Sequence, residues 1–272
     1  MQTLRIVPGL LVLGVFCGCA AAPAADPLLP HDSFVCPSLA VQETRRINVW
    51  LPPQYEATGQ AFPVLYMPDG GLGEDFPHVV RTIDGLVRAG AIAPLLVVGI
   101  ENTVRRRDLT GPTDVASDRA VAPVVGGAPA FRRFVVDELI PAIERRYRCN
   151  GQRALVGESL AGLFVLETMF ERPDRFERGI AFSPSLWWNA QALLRSAPAR
   201  LQAFADRPRT LWFAAADETD IAPHAAALAA VLQRGAPVAL DWTFVPLPDE
   251  RHHTIFRAAK ERAFRAALWP AR

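Results

Sequence analysis
The stretch Arg153-Ala154-Leu155-Val156-Gly157-Glu158-Ser159-Leu160-Ala161-Gly162-Leu163 reads as a short strand, a sharp turn and a helix. A turn that tight strains the backbone of its central residue and crowds the positions two before and two after it, so both must be small. Gly157 and Ala161 are small. In that geometry Ser159 Oγ stands exposed at the top of a sheet. The Leu160 N–H, first in the helix, then points at the place where an oxyanion would develop. The pattern departs from a strict G-x-S-x-G, because Ala161 replaces the second glycine and Gly162 follows. By itself the motif also fits an ordinary Gly-Ser turn ahead of a helix, and its strand-turn-helix context is what gives it weight.

Apolar runs rich in β-branched and aromatic residues recur on both sides of this turn, at Ile47 to Leu51, Phe62 to Met67, Leu95 to Ile100, Ala154 to Val156, Gly179 to Phe182, Thr210 to Ala215 and Leu240 to Val245. Several are apolar at nearly every position, as a strand covered on both faces requires. Between them lie amphipathic helical stretches, notably Ala130 to Tyr147, Leu160 to Phe170, Pro223 to Arg234 and Thr254 to Leu268. Such alternation specifies a three-layer α/β domain around a mostly parallel sheet. The segment from Asn102 to Pro129 is the longest expected loop, and loops of that length are often functional.

The 272 residues carry 29 Lys and Arg against 28 Asp and Glu, a formal net charge of +1. That balance leaves no excess of cations to displace phosphate counterions, so no nucleic-acid partner is expected. The four cysteines match no zinc ribbon or finger, and no structural metal is expected. Arg5 followed by the apolar run Ile6 to Phe16 has the length of a signal-peptide core. We therefore expect a leader over residues 1–25 and one catalytic domain over residues 26–272, with export to the periplasm. Phe16-Cys17-Gly18-Cys19 resembles a lipobox that would tether the chain to a membrane through Cys19, while Ala22-Pro23-Ala24 offers a rival cleavage site. The mature chain then keeps Cys36 and Cys149, either as a disulfide or as two separate buried thiols.

A serine nucleophile needs a general base, and His is the side chain suited to that work near neutrality. Of the five histidines, His31, His78 and His224 read as tail, helix and core-edge residues. His252 and His253 remain, in a loop between the last strand and the last helix. The orienting acid should follow the strand Thr210 to Ala215, where Asp217, Glu218 and Asp220 stand. Glu218 falls closest to the expected position, Asp217 is its rival, and Asp220 suits a helix N-terminus.

With these residues in hand, the chain resembles the α/β-hydrolase esterases that include esterase D and the enterochelin (siderophore) esterases. The resemblance runs from about Ile47 to Leu268. It rests on Pro63-Val64-Leu65-Tyr66-Met67-Pro68-Asp69-Gly70-Gly71, Arg107-Asp108-Leu109-Thr110, Glu138-Leu139-Ile140-Pro141, Gly157 to Gly162, Ser183-Pro184-Ser185-Leu186-Trp187-Trp188 and Glu250-Arg251-His252. Members typically carry Gly at the position of Ala161, and often Gly at that of His253. The resemblance implies an α/β-hydrolase fold and selects His252 as base through the Glu-x-His pattern. It also implies a second oxyanion N–H from Gly70, Gly71 or Leu72, and a substrate pocket lined by Trp187 and Trp188, whose alternative is plain core packing. Arg105 to Arg107 would meet an anionic substrate group or form a solvated charge run. The activity implied is hydrolysis of small acyl esters or siderophore-type lactones by Ser159, His252 and Glu218, without metal or organic cofactor. An acyltransferase, or a catalytically silent binding protein on the same fold, is the alternative.

Overall fold
A computed structural model describes residues 26–271. The expected leader and Cys19 lie outside the described residues. In chain order the elements are β1 (Asp32–Ser38), β2 (Glu43–Trp50), α1 (Gln54–Ala57), β3 (Phe62–Met67), α2 (Phe76–Arg88), β4 (Leu96–Ile100), α3 (Arg105–Asp108) and α4 (Ala116–Arg119). Then come α5 (Ala128–Arg133), α6 (Ile140–Arg146), β5 (Cys149–Glu158), α7 (Leu160–Glu171), β6 (Arg178–Phe182), α8 (Trp188–Arg200), β7 (Arg209–Ala216), α9 (Ala222–Gly235), β8 (Leu240–Leu247) and α10 (His252–Ala267). A π-helical segment, Phe134–Leu139, joins α5 to α6.

The strands form one 8-stranded sheet in the order β1-β2-β4-β3-β5-β6-β7-β8. β1 pairs antiparallel with β2 and β2 antiparallel with β4, and every later neighbour is parallel. This is the α/β-hydrolase architecture. β3 and β4 are buried at every position, as their unbroken apolar runs require. On one face of the sheet α2 and α10 pack through Val79, Ile83, Phe256 and Phe264. On the other, Phe131, Phe134, Leu163, Phe164 and Leu228 form the larger core.

Two expectations change, and of the two readings left open for the cysteines the structure keeps the separate thiols. The run read as an amphipathic helix at Leu160 to Phe170 is buried nearly all round, because α7 lies between the sheet and α8. The stretch from 102 to 129 is not structureless, since α3 and α4 form within it. The Cys36–Cys149 bridge is excluded, and both cysteines are free. Cys36 lies on β1 and Cys149 opens β5, with β2, β4 and β3 between them. At about 4.8 Å per strand that separation is about 19 Å, against the ~7 Å Cα limit of a disulfide.

Candidate active site
β5 ends at Glu158 and α7 begins at Leu160, so the whole reversal is made by Ser159. Its backbone sits at φ 60° and ψ −119°, a conformation that costs a non-glycine residue about 1–3 kcal/mol and persists only where the surroundings impose it. They do so from three sides. The Ser159 N–H donates to the Phe182 carbonyl at 2.9 Å, and the Ser159 carbonyl accepts from Leu163 N–H at 2.9 Å and from Ser185 N–H at 3.1 Å. A Cβ on Gly157 would stand 2.6 Å from the Ala161 carbonyl carbon and 2.7 Å from its Cβ. Glycine is therefore required at 157, and Ala161 fits because Gly157 has no side chain. Gly162 is also held close, since a Cβ there would come within 3.0 Å of the Phe182 carbonyl oxygen and 3.2 Å of Pro184 Cα.

The hydroxyl of Ser159 faces that of Ser185, Oγ to Oγ 3.4 Å. Across the site, His252 Nδ1–H donates to Glu218 Oε2 at 2.5 Å. This fixes the tautomer and leaves Nε2 as a lone-pair acceptor. Among the described residues no hydrogen bond joins Ser159 to His252, a looseness common in ligand-free hydrolase sites. His252 is the first residue of α10 rather than a loop residue. His253 beside it is exposed. Asp217 is turned outward, its side chain 70% exposed and 3.9 Å from Arg251. Asp220 is exposed as well. Glu218 is thus the carboxylate of this loop that meets a histidine.

The turn after β3 requires a correction. The Gly70 N–H is spent on the Ile100 carbonyl at 2.9 Å, and its carbonyl accepts from Asn48 Nδ2 at 2.9 Å. A Cβ on Gly70 would lie 2.2 Å from Ile100 N. Gly70 is glycine because it is wedged against β4, and it offers no N–H to a substrate. The Gly71 N–H is taken by Glu74 Oε2 at 2.6 Å, a carboxyl that burial pushes above its ordinary pKa. The Leu160 N–H, first in its helix, has no intrahelical acceptor, and Leu72 lies exposed at the tip of the turn.

Two carboxyl groups near the serine, those of Asp69 and Glu158, were given no role from sequence. Asp69, left-handed at φ 55°, accepts from Arg105 Nε at 2.6 Å and Arg105 Nη2 at 2.7 Å, and from Asn102 Nδ2 at 2.5 Å. Arg105 also reaches the Glu158 carbonyl at 3.4 Å. Arg105 is therefore committed to an ion pair beside the site, while Arg106 in the same run is exposed. Arg107 pairs with Glu43 and Asp108, and Arg106 donates to the Val121 carbonyl. Glu158, beside the nucleophile position, has a buried Oε1 without a partner among the described residues. Burial, then the charges of Asp75 and Asp69, push its carboxyl up to about 8. Only the pairing of Asp69-Gly70-Gly71 with a distant arginine could have signalled the first group, and nothing local in the sequence signals the second.

The tryptophan pair divides. Trp188 is 2% exposed and donates its indole N–H to the Gly111 carbonyl at 2.9 Å, so it belongs to the core and not to an open pocket. Trp187 is half-buried against it, ring centroids 5.6 Å apart. Among the described residues no cluster of His, Cys, Asp and Glu is arranged to hold a metal ion.

The ferri-bacillibactin esterase BesA of Bacillus subtilis is 30% identical over 185 residues, covering 60% of this chain and 64% of that protein. A siderophore triacetylfusarinine C esterase of Aspergillus fumigatus is 42% identical over 100 residues, 35% of this chain and 32% of that one. The chain thus matches less than two thirds of the length of either relative. The crystal structure of an IroE-like serine hydrolase from Shewanella oneidensis superposes with a TM-score of 0.79 at 26% identity, covering 87% of this chain and 79% of that one. The family profile described as "Putative esterase" matches residues 38–234, well over half of the sequence. The chain belongs to that esterase family.

Proposed function
We propose that this protein is a serine carboxylic-ester hydrolase that works through an acyl-enzyme, with siderophore-type lactone esters and small acyl esters as its substrates. The observation that carries the reading is a strained Ser159 at the strand-helix turn of a sheet whose next loops deliver the Glu218–His252 pair. His252 Nε2 takes the Ser159 proton as Oγ leaves Ser185 and attacks the ester carbonyl. The new C–O bond forms as the carbonyl electron pair moves onto oxygen. That oxyanion is held by the Leu160 N–H and by the Leu72 N–H at the tip of the turn after β3. The imidazolium, stabilised by Glu218, then protonates the leaving alkoxide. Water, deprotonated by the same histidine, releases the acid and restores Ser159. No step calls for a metal or an organic cofactor.

Support for the substrate class comes from the relatives, which are named for siderophore esters. Hydrolysis of p-nitrophenyl acetate and butyrate, with Ser159→Ala as control, tests the reaction. Equal rates in the two proteins would remove it. Rates across a panel of siderophore lactones and simple acyl esters test the substrate class. Export and a lipid tether at Cys19 are part of the same proposal and rest on the sequence of residues 1–25. The mass of the N-terminal peptide from the cell-envelope fraction distinguishes a diacylglyceryl Cys19 from cleavage near Ala24, and an intact Met1 would overturn both.

A further inference from the structure
The first serine of Ser183-Pro184-Ser185 has no role in the mechanism above, yet it touches the acid directly. Ser183 Oγ donates to Glu218 Oε1 at 2.7 Å, while the other carboxylate oxygen, Oε2, receives the His252 Nδ1–H. The hydroxyl is itself oriented, because its lone pair accepts from Ala216 N–H at 3.2 Å. With that acceptor position filled, its single proton is directed to the carboxylate. Ser183 is fully buried and left-handed at φ 38°, and its own N–H is held by the Ala214 carbonyl at 2.8 Å. A buried residue kept in a disfavoured backbone conformation by the end of β7 is a fixed anchor.

The same turn grips the nucleophile. Phe182 accepts from Ser159 N–H, Ser185 N–H donates to the Ser159 carbonyl, and α7 presses against Pro184 at Gly162. One tripeptide therefore fixes both the strained serine and the rotamer of Glu218, which come from loops 59 residues apart in sequence (218 − 159). A carboxylate bonded through only one oxygen can rotate about its terminal torsion, which is broad and soft. Bonded through both, it presents Oε2 to the histidine in one orientation.

We propose that Ser183 is a positioning residue for this site, holding Glu218 so that its second oxygen orients His252. The inference rests on the esterase reading for its kinetic consequence but not for its structural one. Removing the acid from a triad costs up to ~10⁴-fold in kcat, so releasing its orientation is expected to cost about 10- to 100-fold.

The test uses Ser183→Ala together with Ser183→Gly. Glycine deletes the hydroxyl while accommodating the positive φ, which keeps the fold from deciding the outcome. Expected results are a kcat loss of about 10- to 100-fold with KM within about twofold, and a slower reaction of Ser159 with a fluorophosphonate. In a Glu218→Gln background the further loss from Ser183→Gly should be under about twofold, because the two act as one unit. Equal losses in both backgrounds would assign Ser183 a merely structural role and overturn the proposal. So would an unchanged kcat in Ser183→Gly. A second readout is independent of turnover: the low-field proton resonance of His252 Nδ1–H, assigned by its absence in His252→Ala. It should broaden or move upfield in Ser183→Gly, and an unshifted resonance refutes the proposal even if no ester is found that the wild type cleaves. Absence of Ser159-dependent hydrolysis with a shifted resonance would instead overturn the esterase reading alone.

Discussion

Replacing Glu158 with Gln removes a carboxyl that the fold keeps protonated and should make the protein more stable as pH rises. The side chain is raised from the ordinary 4.5 to about 8, first by burial and then by Asp75 and Asp69. Below about 4.5 the carboxyl is neutral in folded and unfolded chains, and it contributes nothing to pH dependence. Between the two values the unfolded chain releases the proton while the folded one retains it, so wild-type stability falls with rising pH until about 8. At about 1.4 kcal/mol for each tenfold change in proton affinity, the full gap is worth about 5 kcal/mol. Partial solvent access reduces this to about 2–3 kcal/mol. Urea unfolding of wild type and Glu158→Gln at pH 4.5, 6, 8 and 9 measures it. The difference should grow from near zero to about 2–3 kcal/mol in favour of the variant. A difference that stays flat across pH, or one that favours the wild type at pH 9, would refute the argument. Ionised Glu158 also sets a negative charge beside the developing oxyanion. The wild-type kcat should therefore decline above pH 8, and the variant should lack that decline.

Glu218→Gln should lower kcat by about 10³–10⁴-fold, whereas Asp217→Asn, at an exposed position, should stay within about twofold; a steady-state assay that reversed this order would exchange their roles. Gly70→Ala would force a Cβ to within 2.2 Å of Ile100 N, and should cost about 3 kcal/mol or more in chemical denaturation. Burial raises the Cys149 thiol to about 11 and pushes Cys36 up as well, so Ellman titration of the 26–272 chain should find both thiols unreactive when native and two reactive thiols in guanidinium.

The sheet was readable because strands covered on both faces must be apolar throughout, and the runs at Phe62 to Met67 and Thr210 to Ala215 carry that pattern without ambiguity. β1 was not readable, since an edge strand covered on one face mixes Asp32, Ser33 and Pro37 with Phe34 and Cys36. Ser159 announced itself through the small residues that its turn demands. Gly70 looked equally informative, yet its missing side chain makes room for β4, a contact between segments 30 residues apart in sequence (100 − 70) that no local pattern reveals. Trp188 and Trp187 are neighbours in sequence but diverge in the fold, because the indole of Trp188 has the Gly111 carbonyl to satisfy it inside. Ser183 was visible only as part of a motif. Its contact with Glu218 depends on β6 and β7 ending side by side, which is a fact of register rather than of composition.

β8 is the last strand of the sheet, with one neighbour, and its residues alternate between buried and open positions. His252 hangs from this border through the short link to α10, whereas Ser159 is rooted in β5 at the middle of the sheet. Edge elements open at lower free energy than central ones. A chain warmed gently should therefore lose its base before its nucleophile, and inactivate while most of the sheet is intact. Catalytic competence would then report on the fraying of one border rather than on the survival of the fold.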